Sequence, residues 1–222
     1  MGLIDKKLQD YIGGFTANIG GDLGILYQKA CDEGLPVISA EVASFLMTLL
    51  ASKRPKNILE IGCAIGFSSA LFTGYLASGG KITTIDRYKY MIERAKENFG
   101  KLDVADKITL LEEDAAKALP ELVNKGEKFD FIFMDCGKGQ YLNFLPYCLE
   151  LLEANGILAA DDVLQSGMIS WDYDKIPKRQ RTTYNNMRKF LETAVAVCTA
   201  SILPIGDGLL VCVKESEENK QS

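Results

Sequence analysis

Asn57-Ile58-Leu59-Glu60-Ile61-Gly62-Cys63-Ala64-Ile65-Gly66-Phe67-Ser68-Ser69-Ala70-Leu71-Phe72 decides the fold. A short apolar run, a turn carrying two glycines and an apolar stretch opened by Phe67 predict a strand, a tight turn and a helix. The same unit recurs downstream. Strands are predicted at residues 81–85, 107–111, 129–134 and 156–160, and amphipathic helices at 67–76, 88–98, 115–124 and 141–152. Alternation of this kind predicts an α/β protein with a parallel sheet covered by helices on both faces. Upstream, residues 3–33 predict one or two N-terminal helices. Ser39 offers an N-cap for a helix to about Ser52, with Val42, Phe45, Leu46, Leu49 and Leu50 on one face. Downstream of Asp161-Asp162 the rhythm stops. A helix at 182–194 is followed by two runs, 197–203 and 209–213, whose five-residue connection permits only an antiparallel pair.

The 222 residues fit one domain, taken as 1–214 with N-terminal helices over about 1–52 and a polar tail at 215–222. There is no histidine, which excludes Ser-His-Asp and Cys-His nucleophile systems and imidazole metal ligands. Acid–base chemistry falls to carboxylates, Lys, Tyr, Cys or metal-bound water. Six scattered cysteines without a Cys-x-x-Cys pair predict reduced thiols. No apolar run approaches the roughly 20 residues that span a bilayer, and Met1–Lys7 has no signal-peptide core. A cytoplasmic protein without a membrane partner is expected.

Doubly wound sheets bind ligands outside the carboxyl ends of their strands. Gly62 and Gly66 would let the backbone turn and approach a ligand there, with Ser68 as a donor at the helix start; a helix-packing glycine pair is the alternative. Asp86, ending the second strand, suits two ribose hydroxyls. Glu60 could hold a cationic or amino-bearing group, and Asp114-Ala115 could border an adenine. Acids in each turn and no pyrophosphate cradle suit S-adenosyl-L-methionine, with its sulfonium and amino group, better than NAD.

At the next strand ends stand Asp135 and the pair Asp161-Asp162. Three such carboxylates stay ionised together only if a cation joins them. Oxygen donors alone point to Mg²⁺, with Mn²⁺ or Ca²⁺ as alternatives; helix caps and solvated strand ends are the structural alternative. Lys138 is either a general base toward a metal-bound hydroxyl or a partner for the surplus carboxylate. Net charge is −5, yet Lys175, Lys178, Arg179, Arg181, Arg188 and Lys189 lie in one segment without an acid, leaving 19 basic against 30 acidic residues elsewhere. With Trp171, Tyr173 and Tyr184 beside it to stack on bases, this segment predicts a phosphate-contacting surface, or otherwise a solvated basic face.

Leu59-Glu60-Ile61-Gly62 through Gly66-Phe67-Ser68, Asp135-x-x-Lys138-x-x-Tyr141 and Asp161-Asp162-Val163-Leu164 together resemble the cation-dependent S-adenosylmethionine O-methyltransferases, which include catechol and caffeoyl-CoA methyltransferases. The likeness runs from about Pro36 to Val213. It implies the class I methyltransferase fold, a Rossmann-like, mostly parallel seven-stranded sheet with an antiparallel C-terminal strand. It also implies metal ligation by Asp135, Asp161 and Asp162, a base at Lys138, and cofactor contacts from Val37, Ile38, Glu60, Gly62, Ser68, Asp86, Ala115 and Asp135. A homodimer is the family's habit. Asp162 departs from the family's usual Asn, which leaves three anionic ligands around a divalent ion. Lys138-Gly139-Gln140-Tyr141, Asp172-Tyr173-x-Lys175-Ile176-Pro177-Lys178-Arg179-x-Arg181 and Pro204–Leu209 resemble most closely the bacterial branch that methylates 5-hydroxyuridine at the tRNA wobble position. That likeness implies tRNA, at its anticodon region, as partner. A free catechol or other phenol is the alternative acceptor, and a non-catalytic RNA-binding protein the alternative class; a nicotinamide dehydrogenase lacks its glycine fingerprint here.

Overall fold

A computed structural model describes residues 19–216, together with 7, 11 and 13–16. The chain divides into two compact units, with the boundary between Ala118 and Leu119. Seven strands, β1 (Asn57–Ile61), β2 (Lys81–Asp86), β3 (Ile108–Glu112), β4 (Phe129–Met134), β5 (Leu152–Ala160), β6 (Thr199–Leu203) and β7 (Leu209–Val213), belong to one sheet in the order β3-β2-β1-β4-β5-β7-β6. The expected N-terminal helix before residue 19 falls largely outside the described residues.

In the first unit, α1 (Gly21–Asp32) and α2 (Ala40–Lys53) precede β1 (Asn57–Ile61), α3 (Phe67–Thr73), β2 (Lys81–Asp86), α4 (Lys89–Lys101) and β3 (Ile108–Glu112). Ser39 caps α2 as expected, its hydroxyl accepting from Val42 N at 3.3 Å. Val42, Leu46 and Leu50 are buried, whereas Phe45 and Leu49 are half-buried. Ile58 to Ile61 are all buried because β1 is covered on both faces, which is why apolar residues dominate it instead of alternating, Glu60 being the exception. β1 pairs parallel with β2 and β2 with β3. α3 ends at Thr73, three residues short of expectation, where Gly74 and Tyr75 close it with N–H bonds back to Leu71 and Phe72.

α5 (Ala115–Asn124) crosses the boundary. The second unit continues with β4 (Phe129–Met134), α6 (Tyr141–Leu151), β5 (Leu152–Ala160), α7 (Arg181–Val197), β6 (Thr199–Leu203) and β7 (Leu209–Val213). β4 pairs parallel with β5, and β7 runs antiparallel to both β5 and β6. β5 begins four residues earlier than predicted. The register slips between Phe129↔Leu152 and Phe131↔Ile157, so Glu153, Ala154 and Asn155 form an exposed irregularity, with Asn155 at φ 59°. Tyr141 of α6 and Phe190 of α7 meet edge to face at 5.3 Å. Among the described residues no helix is long and apolar enough to cross a membrane.

Candidate active site

The first unit carries the cofactor-type motif. Gly62 leaves β1 at φ 101° and donates to Ile85 O at 2.9 Å. Asp86, at the end of β2, holds the turn that follows: one carboxylate oxygen accepts from Cys63 N (3.1 Å) and Ala64 N (2.9 Å), the other from Tyr88 N (2.9 Å). Asn98 of α4 adds a bond to Ile65 O at 2.9 Å. Gly66 closes the turn at φ 82° and opens α3; a methyl group there would collide with the Phe99 ring. Its place therefore has a packing cause.

Glu60 has a different surrounding from the one expected. It is fully buried, and Ser68, Ser69 and Thr84 all donate hydroxyls to its carboxylate. Ser68, expected to donate to a ligand, thus donates to Glu60. The cause is the strand's alternation, which turns Glu60 toward the first turn of α3, and a buried carboxylate there needs donors. Asp114 is the N-cap acceptor of α5 through Ala116 N (2.9 Å) and pairs with Arg87 at 2.5 Å; the backbone bond and then the guanidinium hold its pKa below the usual range. Arg87 in turn lies over the Tyr88 ring at 5.1 Å. Ile38 is buried and Val37 half-buried just before α2.

The second unit carries the carboxylates. Asp135 follows β4; Asp161 and Asp162 follow β5. Asp161 N donates to Met134 O at 3.0 Å, and the buried Tyr141 hydroxyl bridges the same two strand ends, donating to Asp161 O (2.9 Å) and Met134 O (3.2 Å). Asp161 accepts from Asp162 N at 2.8 Å, and Asp162, at φ 57°, meets Lys138 Nζ at 2.5 Å. Burial and the Asp162 charge push Asp135 up to about 6 against the pull of Lys138. Burial, then Asp135 and Asp162, push Asp161 up to about 8. Asp207, on the β6–β7 connection, is raised by burial and also feels Asp162 and Lys138. Among the described residues no group of three or more His, Cys, Asp or Glu is gathered closely enough to hold a metal ion as it stands. The donor chemistry nonetheless fits a hard divalent cation: oxygen ligands only, and mutual repulsion that one ammonium leaves uncompensated.

A stability consequence follows. A carboxyl whose pKa is raised by folding keeps its proton in the folded chain after the unfolded chain has released it, so stability falls as pH rises between the two values. For Asp135 and Asp161 that window runs from the ordinary carboxyl range near 4 up to about 8. The thermal midpoint of the cation-free protein is expected to drop across it, and Asp161→Asn to flatten the drop.

The basic segment divides on inspection. Lys178 and Arg179 are exposed, as are Trp171 and Tyr173. Lys175 pairs with Asp172 at 2.7 Å, Arg181 donates to Ile176 O at 3.1 Å and lies over the Tyr173 ring at 4.8 Å, and Arg188 donates to the Tyr184 hydroxyl at 2.8 Å. Tyr184, expected to stack on bases, is buried, with its hydroxyl bonded to Trp171 O; it lies on the apolar face of α7, which the sequence spacing with Met187 and Leu191 shows. Two further participants were not singled out from sequence. Tyr141 entered only as part of a motif, and Asp207 is marked by no more than its Gly-Asp-Gly setting. None of the six cysteines is in a disulfide.

Strand order, the glycine turn after β1 and carboxylates at the strand ends define a class I methyltransferase fold. The O-methyltransferase family model matches residues 27–215, and the chain belongs to that family. Caffeoyl-CoA O-methyltransferase 1 of Eucalyptus globulus is 32% identical over 179 residues, covering 78% of this chain and 73% of that protein. Tapetum-specific methyltransferase 1 of Arabidopsis thaliana is 34% identical over 197 residues, covering 84% and 80%. Among solved structures, an O-methyltransferase from Bacillus cereus in complex with SAH superposes with a TM-score of 0.80 at 25% identity, covering 94% of this chain and 97% of that one.

Proposed function

We propose that this O-methyltransferase uses S-adenosyl-L-methionine, with Mg²⁺, to methylate the 5-hydroxyl of uridine at the tRNA wobble position, giving 5-methoxyuridine. The cofactor supplies an electrophilic methyl group on sulfonium. Mg²⁺, held by Asp135, Asp161 and Asp162, would supply Lewis-acid polarisation of the acceptor hydroxyl. The remaining work belongs to the chain. Asp86 fixes the glycine turn through Cys63 N and Ala64 N, so that the backbone after β1 is preset for the cofactor. Tyr141 fixes the ends of β4 and β5, and hence the origins of Asp135 and Asp161. Lys138 Nζ, once its ammonium has given up one proton to solvent, would take the hydroxyl proton and return to the ammonium that pairs with Asp162. Positioning of oxygen against methyl is worth about 7–11 kcal/mol, and a general base about 10²–10⁴-fold.

The observation that carries the RNA reading is the exposed set Trp171, Tyr173, Lys178 and Arg179, which follows Asp161-Asp162 within the same unit and offers both stacking faces and phosphate-seeking charge. The relative named for caffeoyl-CoA favours a second reading, a catechol-bearing small molecule. Incubating the protein with cofactor, Mg²⁺, tRNA carrying 5-hydroxyuridine and a free catechol, followed by mass spectrometry of both the nucleosides and the catechol, separates the two. 5-Methoxyuridine is expected; methylated catechol with unmodified tRNA would overturn the RNA reading.

Two further outcomes are expected. tRNA affinity should fall steeply with salt, and the Lys178→Ala, Arg179→Ala double variant should flatten the slope by about two, roughly one per lost phosphate contact. Mg²⁺ should raise the thermal midpoint more at pH 8 than at pH 5, because ligation requires deprotonated Asp135 and Asp161. Equal shifts at both pH values would count against these ligands.

A further inference from the structure

Asp161 and Asp162 stand where the sheet ladder is interrupted. β5 and β7 pair from Ile157↔Val213 to Ala160↔Leu210, and the two chains engage again where Val163 N donates to Gly208 O at 3.0 Å and Leu164 N to Asp207 O at 2.9 Å. Between Ala160↔Leu210 and the bond joining Val163 to Gly208, the pair Asp161-Asp162 stands against the single residue Leu209. Two residues against one is the pattern of a β-bulge, which bends its strand and re-aims a side chain. Asp162 takes the strain, at φ 57°.

The near side of this interruption is held by Asp161 N on Met134 O and by the Tyr141 hydroxyl on Asp161 O. Asp207 closes the far side. Its carboxylate accepts from Ser166 N while its carbonyl accepts from Leu164 N, so one residue of the β6–β7 connection grips the loop at two points. Gln165 and Ser166 both lie at left-handed φ, 52° and 54°, and Gly167 follows at 81°. Left-handed non-glycine residues persist only where surroundings over-determine them, and they gather at functional sites. Gly208, at φ 92°, lies so close to Leu164 that a methyl group there would overlap it, which is how the connection approaches the loop. The Asp207 carboxyl, raised first by burial, also feels the charges of Asp162 and Lys138, so the lock stands near the groups it would aim.

We propose that Asp207 is a positioning residue for the methyl-transfer reaction: its carboxylate, bonded to Ser166 N, locks the loop that aims Asp161 and Asp162, and so sets the affinity of the site for Mg²⁺. The assignment rests on the reading that these carboxylates hold a divalent cation. It requires of Asp207 an acceptor oxygen in one place, not a charge. Residues that hold metal ligands in place in this way typically account for about 10–100-fold in metal affinity. Asp207 is assigned no contact with acceptor or cofactor, so the transfer step itself should survive its loss once the cation is bound.

The test is a calorimetric titration with Mg²⁺ of the wild-type protein, Asp207→Ala, Asp207→Asn and Asp207→Glu. Asparagine keeps an acceptor oxygen at the same reach and drops the charge; glutamate keeps the charge and displaces the acceptor. Asp207→Ala and Asp207→Glu should bind Mg²⁺ about 10- to 100-fold more weakly, and Asp207→Asn should bind it close to wild type. The Mg²⁺ concentration that gives half-maximal methyl transfer should rise by the same factor in the two weakened variants, with kcat at saturating Mg²⁺ and cofactor affinity retained. A general loss of stability would not sort the variants in this order. Wild-type Mg²⁺ affinity in Asp207→Ala and Asp207→Glu overturns the proposal, and so does an Asp207→Asn as weak as Asp207→Ala, which would make the charge the cause. If Asp207→Ala does not fold, the contrast between Asp207→Asn and Asp207→Glu decides by itself. No Mg²⁺ binding by the wild-type protein overturns the metal reading and this assignment together, a pattern distinct from the other two.

Discussion

Asp135→Ala is expected to reduce methyl transfer further than Lys138→Ala when both are assayed with saturating cofactor and Mg²⁺. In the proposed mechanism Lys138 is the base, so its loss should cost about 10²–10⁴-fold. In the same mechanism Asp135 serves positioning, which is asked for the larger share, about 7–11 kcal/mol, so its loss should reach or exceed the roughly 10⁴-fold end of the range for Lys138. The structure gives reasons to expect both variants to fold. Asp135 is held up to about 6 by burial and by Asp162, so removing its charge relieves repulsion. Lys138 is one-third exposed on its side chain, and Asp162 similarly, so the released carboxylate can take water. Single-turnover transfer of labelled methyl isolates chemistry from release of product. Near-wild-type rates in both variants would dismiss the carboxylates and the lysine together.

Much of the sheet was legible because its inner strands are buried on both faces. β1 and β4 are mainly apolar, interrupted by Glu60 and Asp130, and the bounds predicted for β4 agree with those observed. The early start of β5 was not legible, because Glu153-Ala154-Asn155 is polar and pairs across a register slip that no periodicity announces. At the sites, the residue types were readable and their partners were not. Glu60 reads as a ligand for an amino group only while its neighbours are unknown; three hydroxyls, one of them from β2, turn it into a buried anchor for α3. Tyr184 reads as a stacking ring until the helix face on which it lies is fixed. The grip of Asp207 on the loop after β5 carried no signal at all, since a bond to Ser166 N and a left-handed φ are properties of the folded chain.

Gly66→Ala is expected to destabilise the protein substantially more than Gly79→Ala. Both glycines have left-handed φ, 82° and 71°, so both substitutions incur the steric penalty of that conformation, about 1–2 kcal/mol. Around Gly79 a new methyl group meets nothing within 4 Å. At Gly66 it runs into the Phe99 ring and lies 3.3 Å from Ala95. Phe99 cannot retreat freely, because it packs with Cys63, Ala70 and Ala95 and against Leu102, Val104, Ile108 and Leu110. Overpacking of that kind adds about 1–3 kcal/mol. Urea midpoints at constant slope would read the difference as stability. Calorimetry with S-adenosyl-L-methionine reads the other half: the turn that Asp86 holds through Cys63 N and Ala64 N ends at Gly66, so Gly66→Ala should weaken binding while Gly79→Ala leaves it intact. If the two variants are equally stable and only Gly66→Ala loses the cofactor, Phe99 has given way. Glycine would then be required at this position by the approach of the ligand, not by the packing of α4.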